Sequence, residues 1–294
     1  MMRLPRGFAE WGLVAGTAIV AVFVALALVG ESLVGPRAVS NAIVVDGRVY
    51  EVPPLLPPGS SLVVEGRELV FIMGTDQLGR DVFARVVSGA RFVLTVAFLS
   101  TAISAAVGTI LGLLSGYIGG FLDRVLSLVM DSMYAFPGLI LAIAIAALLG
   151  VGVLNISLAI AVVYIPSYYR MVRGVVLSLR AAPFVEAVVL AGASSWSIVT
   201  RHILPNVVPQ IVSLLPVSFA DAIITEAGLT FLGLGIEPPT PDWGFDLNKG
   251  RQFFLAGYWW IGVFPGLMIV LSVLGFLLVG ESLNELLNPR KVEA

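Results

Sequence analysis

The strongest constraint on this chain is how long it goes without a charge. Residues 11–30, 92–122, 132–169 and 260–279 hold no Asp, Glu, Lys or Arg, and residues 207–225 hold only Asp221. A helix needs about 20 predominantly apolar residues to cross a bilayer. In lipid it also satisfies its own backbone polar groups. The run 132–169 is too long for one crossing at about 1.5 Å per residue. It predicts two helices folded about Gly150-Val151-Gly152 and Asn155. The pattern therefore predicts six spans with both termini on one side.

Composition agrees. Of 294 residues, 58% are hydrophobic and 12% charged, against roughly 45–50% and about 25% in soluble domains. The net charge of −2 supplies no basic field for nucleic acid. With no cysteine and one histidine, His202, the chain cannot form disulfides, a thiolate nucleophile, a Cys-ligated metal centre or a multi-histidine site. No Gly-x-x-x-x-Gly-Lys-[Ser/Thr] loop, Gly-x-Ser-x-Gly elbow or His-Glu-x-x-His is present. The sequence thus predicts no catalytic residues, no metal site and no cofactor held by this chain.

Short flanks orient the spans, because cytoplasmic loops carry the excess of Lys and Arg. Arg3 and Arg6 precede the first run, and Arg124 is expected in the turn between the second and third spans. Arg170, Arg173, Arg180 and Arg201 lie between the fourth and fifth, and Arg290 and Lys291 follow the sixth. All fall on one side if both termini are cytoplasmic. The first apolar run exceeds the 7–15 residues of a signal-peptide core and is read as a retained span. On the outside, residues 35–71 form an insertion. Ile43-Val44-Val45-Asp46-Gly47-Arg48-Val49-Tyr50 has β-formers around Asp-Gly, a hairpin signal, and Val63-Val64-Glu65-Gly66-Arg67-Glu68-Leu69 is a second. The insertion reads as a surface cap or as a docking surface for an outside partner.

The polar stretch between the fourth and fifth runs holds helix formers over 180–191, with Pro183 near their start, where proline is tolerated. Gly192 can end or bend that helix. Ser194-Ser195-Trp196 offers a cap for a second helix, which Pro205 is expected to end. Two short helices meeting at an angle make either a presented knob or an ordinary connector.

Here the sequence resembles a known family. Glu186-Ala187-x-x-x-x-Gly192 followed by Leu204-Pro205 is similar to the coupling loop, or EAA loop, of ABC importer permeases. His202-Ile203-Leu204-Pro205-Asn206 resembles the peptide-importer branch. So do Gly74-Thr75-Asp76-Gln77-Leu78-Gly79-Arg80-Asp81, Gly89-Ala90-Arg91, Asp123-Arg124, Asp131, Ala135-Phe136-Pro137, Glu226-Ala227-Gly228-Leu229, Phe231-Leu232-Gly233-Leu234-Gly235, Pro238-Pro239-Thr240-Pro241 and Trp243-Gly244. The match runs in order from about 74 to 290. Two coupling-loop positions depart from the general pattern: Val188 stands where alanine is usual, and His202 where isoleucine is usual.

The resemblance implies an all-α integral membrane fold with six transmembrane helices of the type I importer kind; the small β-hairpin insertion outside is read from its own turn signals and is not explained by the resemblance. Together they divide the chain into a tail and first span (1–34), an extracytoplasmic insertion (35–73) and a permease core (74–294) containing a coupling loop at 173–205. The resemblance implies a multi-pass subunit of the plasma or inner membrane, carrying di- or oligopeptides, with oligosaccharides or a chelated metal as the open alternatives. Its expected partners are a second permease subunit in a heterodimer, cytoplasmic ATPases that use ATP and magnesium, an extracytoplasmic solute-binding protein and the bilayer. By the same resemblance Glu186, Ala187, Gly192, His202, Leu204 and Pro205 are the ATPase-coupling positions.

Other residues stand out for their chemistry. Gly108, Gly112 and Gly116 form one helix stripe, as small residues do where helices approach closely in lipid. The approaching helix belongs either to this chain or to a partner permease. Asp131 is expected near the cytoplasmic edge, paired with Arg124 or another chain. Asp221 and Glu226 stand on different faces of the fifth span, before Gly228, Gly233 and Gly235, which are expected to break it. They predict a pathway or gate, or a structural pair against the partner subunit. A secondary transporter using Asp131, Asp221 and Glu226 for ion coupling, and a membrane scaffold without transport, are the rival functions.

Overall fold

The computed structural model describes residues 6–236 and 238–287. Arg3, Arg290 and Lys291, and the side chain of Arg6, lie outside what is described. Helix α1 (Arg6–Val34) leads through a 3₁₀ turn (Gly35–Ala38) into two hairpins, β1 (Ala42–Val45) with β2 (Arg48–Glu51) and β3 (Ser60–Val64) with β4 (Arg67–Phe71). Both are antiparallel and turn on two left-handed residues, Asp46-Gly47 and Glu65-Gly66, as the turn chemistry predicts. The tips pair reciprocally: Arg48 reaches Glu65 at 3.0 Å and Arg67 reaches Asp46 at 2.9 Å.

The core continues as α2 (Val82–Ile118), α3 (Gly120–Tyr134), α4 (Gly138–Leu149), α5 (Val153–Arg180), α6 (Pro183–Leu190), α7 (Ser195–Ser197), a π-helical turn (Ile198–Ile203), α8 (Leu204–Phe231), α9 (Trp243–Phe254) and α10 (Trp260–Leu287). Among the described residues, five helical stretches, carried by α1, α2, α5, α7–α8 and α10, are long and apolar enough to cross a membrane. The pair α3 and α4, which meet at 96°, makes a sixth where the two count together as one broken span. Two expectations change here. Arg124 does not sit in a turn; it lies inside α3, and the turn is Gly119 alone, at φ +72°. The third apolar helix starts at Gly138 instead of near Ser132, because Pro137 cannot continue α3. At about 18 Å, α4 alone is shorter than the ~30 Å hydrocarbon core.

Helices α2 and α5 pack most closely. The glycine stripe lies between them. An added Cβ at Gly108 would sit 2.5 Å from Tyr168 Cβ, at Gly112 2.8 Å from Val172 Cβ, and at Gly116 2.8 Å from Val176 Cβ. The close approach is therefore made within this chain. Where α2 ends, Tyr169 Oη bonds Ser115 at 2.7 Å and Ser127 at 2.8 Å. Arg173 forks onto Asp123 at 2.5 and 2.8 Å. Asp131 pairs with Arg170 at 3.0 Å, across to α5 and not with Arg124. These bonds tie α3 to α5.

At the other end, the Asp76-to-Asp81 motif folds as a tight loop. Asp76 accepts from the N–H groups of Leu78 and Arg80 and from Arg80 Nε at 2.6 Å. Asp81 caps α2 through Phe83 and Ala84. Arg85, 2% exposed, grips Asp246 of α9 with Nε at 2.9 Å and Nη2 at 2.7 Å, and its Nη1 reaches the Ala38 and Pro239 carbonyls. Fork-to-fork pairing of this kind is among the stronger polar contacts. Trp243 is fully buried and donates to the Val86 carbonyl at 2.8 Å. Gly89 leaves room for its indole, since a Cβ there would lie 2.8 Å from Nε1.

Removing one member of a buried ion pair strands the other, at a cost of about 3–5 kcal/mol, whereas an apolar replacement of both is far less costly. Asp246→Ala should therefore lower the unfolding midpoint of the detergent-purified chain sharply. The Arg85→Met/Asp246→Leu double variant should recover most of the loss, and equal loss in both would contradict a stranded-charge cost.

Candidate functional site

The loop that carries the EAA resemblance forms a compact knob beyond the ends of α2 and α5. Helix α6 starts on Pro183, whose missing N–H is no loss in a first turn, and ends at Gly192, φ +78°. Ser194 caps the next turn by accepting from Ser197 N–H. The inner face is seated firmly. Val185, Ile198, Ile203 and Val207, all buried, pack on Val172 and Val176 of α5. The outer face is open: Glu186, Ala187, Gly192 and Pro205 are exposed, with Leu190 at 82% and Trp196 at 77%. His202 and Leu204 are half-buried at its edge. A groove lined by Tyr117, Arg180, Val185, Glu186 and Ser195 runs beside α6. Apolar side chains this exposed, rimmed by polar groups, mark an interaction surface.

Pro205 does not end the second helix. Residues Ser195–Phe231 run as one helical stretch of 37 residues, and Pro205 stands in the first turn of α8. A proline ring clashes with the carbonyl four residues before it. The wider π turn relieves that clash: Leu204 N–H bonds back to Val199 O, and Asn206 Nδ2 donates to the His202 carbonyl at 2.7 Å. The knob is thus continuous with a span, an arrangement that helix-breaking rules alone do not reveal.

The two acids of α8 part company. Asp221 is half-buried, and its carboxylate has no hydrogen-bond or ion-pair partner among the described residues; its backbone carbonyl accepts from Thr225 Oγ1 at 2.8 Å and from Tyr164 Oη at 3.2 Å. Glu226 is fully buried against Asp242, the N-cap residue of α9, inside the chain's own packing. The helix continues past Gly228 and ends only at Leu232 and Gly233, φ +85°, because a single glycine costs a helix only about 1 kcal/mol. Sequence reasoning passed over Arg85, Asp242, Asp246 and all of α9. The available signal was Asp242-Trp243, an N-cap residue followed by a residue four before Leu247, within a segment read only as a motif. Among the described residues no cluster of three His, Asp or Glu side chains could hold a metal.

Gly192 has open space around its missing Cβ, so any cost of substitution there is conformational. Gly192→Ala should loosen the last turn of α6 by about 1–2 kcal/mol, read as faster amide exchange over that turn. Gly192→Asn, which tolerates the left-handed region better, should loosen it less.

Comparison with known proteins places this geometry. A family model described as "Binding-protein-dependent transport system inner membrane component" matches residues 108–293. The chain is 44% identical over 226 residues, 76% of its length and 74% of the relative's, to the glutathione transport system permease protein GsiD of Escherichia coli O6:K15:H31. It is 41% identical over 227 residues to the protein of that name from Pectobacterium atrosepticum, covering 77% of this chain and 75% of that one. Among solved structures, an inward-facing form of the MetNI methionine ABC transporter shares the fold at TM-score 0.55 and 19% identity, covering 69% of this chain and 96% of that chain.

Proposed function

The chain belongs to the inner membrane components of binding-protein-dependent transport systems, a permease subunit of an ABC importer, and from that premise we propose that it carries short peptides. The relatives named for glutathione, itself a small peptide, support this substrate class. A second permease subunit completes the pathway, a solute-binding protein delivers substrate outside, and cytoplasmic ATPases hold the ATP and magnesium. Both termini are cytoplasmic in this reading.

The observation that carries the mechanism is the knob's two-sidedness. Its outer face presents Glu186, Ala187, Leu190 and Trp196, while its inner face is locked into α5 and runs directly into α8. ATPases that close on the knob push on a body that cannot yield locally. The displacement passes along α8, a lever of about 42 Å at ~1.5 Å per residue, and tilts the span. Glu186 offers a charge to the ATPase cleft, Gly192 sets the angle between α6 and α7, and His202, Leu204 and Pro205 form the joint. Asp221 faces the pathway in this reading, since its free carboxylate within a span is tolerated against a water-filled path or a partner chain.

Glu186→Arg and Gly192→Asp should each leave membrane insertion intact while reducing peptide uptake at least tenfold in proteoliposomes containing the assembled importer. ATP hydrolysis should then lose its stimulation by the loaded binding protein. Normal uptake by both variants would remove the coupling role.

Purification of this chain from its native membrane should also recover a second multi-span chain together with P-loop ATPases, identified by mass spectrometry. Recovery of this chain alone, as a stable homo-oligomer, would remove the importer partnership.

A further inference from the structure

We propose that the cleft between the hairpin end of α1, strand β4 and the start of α2 holds the headgroup of a zwitterionic phospholipid, with its phosphate on Arg37 and its ammonium on Asp81. The cleft has a volume of about 380 Å³, within the range of small-molecule sites. Its apolar wall is made by Leu33, Val70, Ile72 and Phe83, and its charged members are Arg37 and Asp81. Leu33 is 72% exposed and Ile72 61%, so both offer surface to an acyl chain.

Neither charge is spent inside the chain. Among the described residues the Arg37 guanidinium has no hydrogen-bond or ion-pair partner; its backbone carbonyl accepts from Asp81 N–H at 3.2 Å. Glu31, the acid before it in sequence, is paired with Arg91. Asp81 uses Oδ1 to cap α2, accepting from the N–H groups of Phe83 and Ala84. Its Oδ2 has no partner among the described residues. The two side chains line one cleft and make no ion pair with each other. Separate, unspent charges of opposite sign suit a ligand that carries both. An ethanolamine phospholipid does so in one headgroup: its phosphate matches the planar guanidinium fork, and its ammonium gives a charge-assisted hydrogen bond to the carboxylate.

Position selects a lipid over a soluble zwitterion. The uncharged run of α1 ends at Gly30 and Glu31 follows, so the next residues stand where a span of this length leaves the hydrocarbon. Helix α1 is peripheral, since only 11% of its apolar window is buried inside the chain. Ala25, Val29 and Leu33 are all exposed, and their four-residue spacing sets them in one row along the helix. That row leads from the bilayer interior to the cleft wall, the path an acyl chain takes beneath its headgroup. The walls are also fixed in advance. Arg85 Nη1 holds the Ala38 carbonyl at 2.7 Å, next to Arg37, and Asp81 N–H holds Arg37 itself, so little ordering remains to oppose binding.

The full-length chain, purified in mild detergent and titrated with lipid under native mass spectrometry, should retain phosphatidylethanolamine in preference to phosphatidylglycerol, whose head lacks the ammonium. Arg37→Gln should weaken retention of both lipids about tenfold, the scale of one charge-assisted hydrogen bond. Asp81→Asn keeps the α2 cap, because asparagine caps as well as aspartate. It should weaken phosphatidylethanolamine alone and abolish the preference. Arg48→Gln, at an exposed hairpin tip, should change neither lipid. Should Arg37→Gln fail to fold, Ile72→Glu takes its place: it sets a carboxylate on an exposed wall position and should also lose both lipids. Equal retention of the two lipids by the parent, or an unchanged response in either cleft variant, would overturn the proposal, since lipid that merely coats the spans behaves so. Displacement of the bound lipid by inorganic phosphate or by a dipeptide would assign the cleft to a soluble ligand and overturn it as well.

Discussion

The fork of Arg85 onto Asp246 holds the hairpin-bearing half of the molecule in register. It joins the first turn of α2 to α9, residues 161 apart in sequence, and the remaining guanidinium nitrogen fastens the Ala38 and Pro239 carbonyls to the same point. With Asp76 and Arg80 beside it, two positive and two negative side chains are buried together. A set of this kind tolerates neither a missing partner nor loose geometry. Segments scattered along the chain, the Asp76 loop, Gly89, Glu226 to Gly235 and Trp243-Gly244, all meet at this junction.

The half that carries the knob is organised by close backbone contact. The glycine stripe of α2 lets α5 lie against it, and the Asp123–Arg173 fork, with Ser115, Ser127 and Tyr169, secures α3 to the same helix. Helix α5 thereby becomes the base on which the knob sits. The knob's buried valines and isoleucines join it to α5, and its covalent continuation is α8. Helix α8 then ends at the Arg85 junction, against α9. One helical stretch thus connects the exposed surface of the knob with the buried polar cluster at the hairpin end. Mechanical coupling between the two ends requires no more than a stiff element with a fixed seat at each.

The spans, the two hairpins and the knob were legible in the sequence because each rests on local rules: uncharged length, Asp-Gly and Glu-Gly turns, and Gly192 between two helix-forming stretches. Less legible features depended on distant contacts. Pro205 reads as a stop when only its missing N–H is considered, yet a π turn accommodates it and α8 runs on. Gly228 reads as a breaker, yet Leu139 packs against it and the helix persists. Asp131 found Arg170 instead of its sequence neighbour Arg124, because α5 passes beside α3. Helix α9 was missed since its burial comes from single residues meeting distant helices, Trp243 on Phe23 and Val86, Gly244 on α8 and Gly250 on α10, with no apolar run of its own.

By itself the sequence determined that this chain lives in lipid, how many apolar stretches it contributes, and which family its motifs resemble. Those properties come from composition and spacing, which every conformation of the chain shares. Tertiary structure alone decided which carboxylates are paired and which are stranded. Asp246 meets an arginine, Asp221 meets no side-chain donor among the described residues, and Glu226 meets another acid. The charge on each residue is the same in the sequence; what differs is the dielectric and the neighbour, and only folding assigns those.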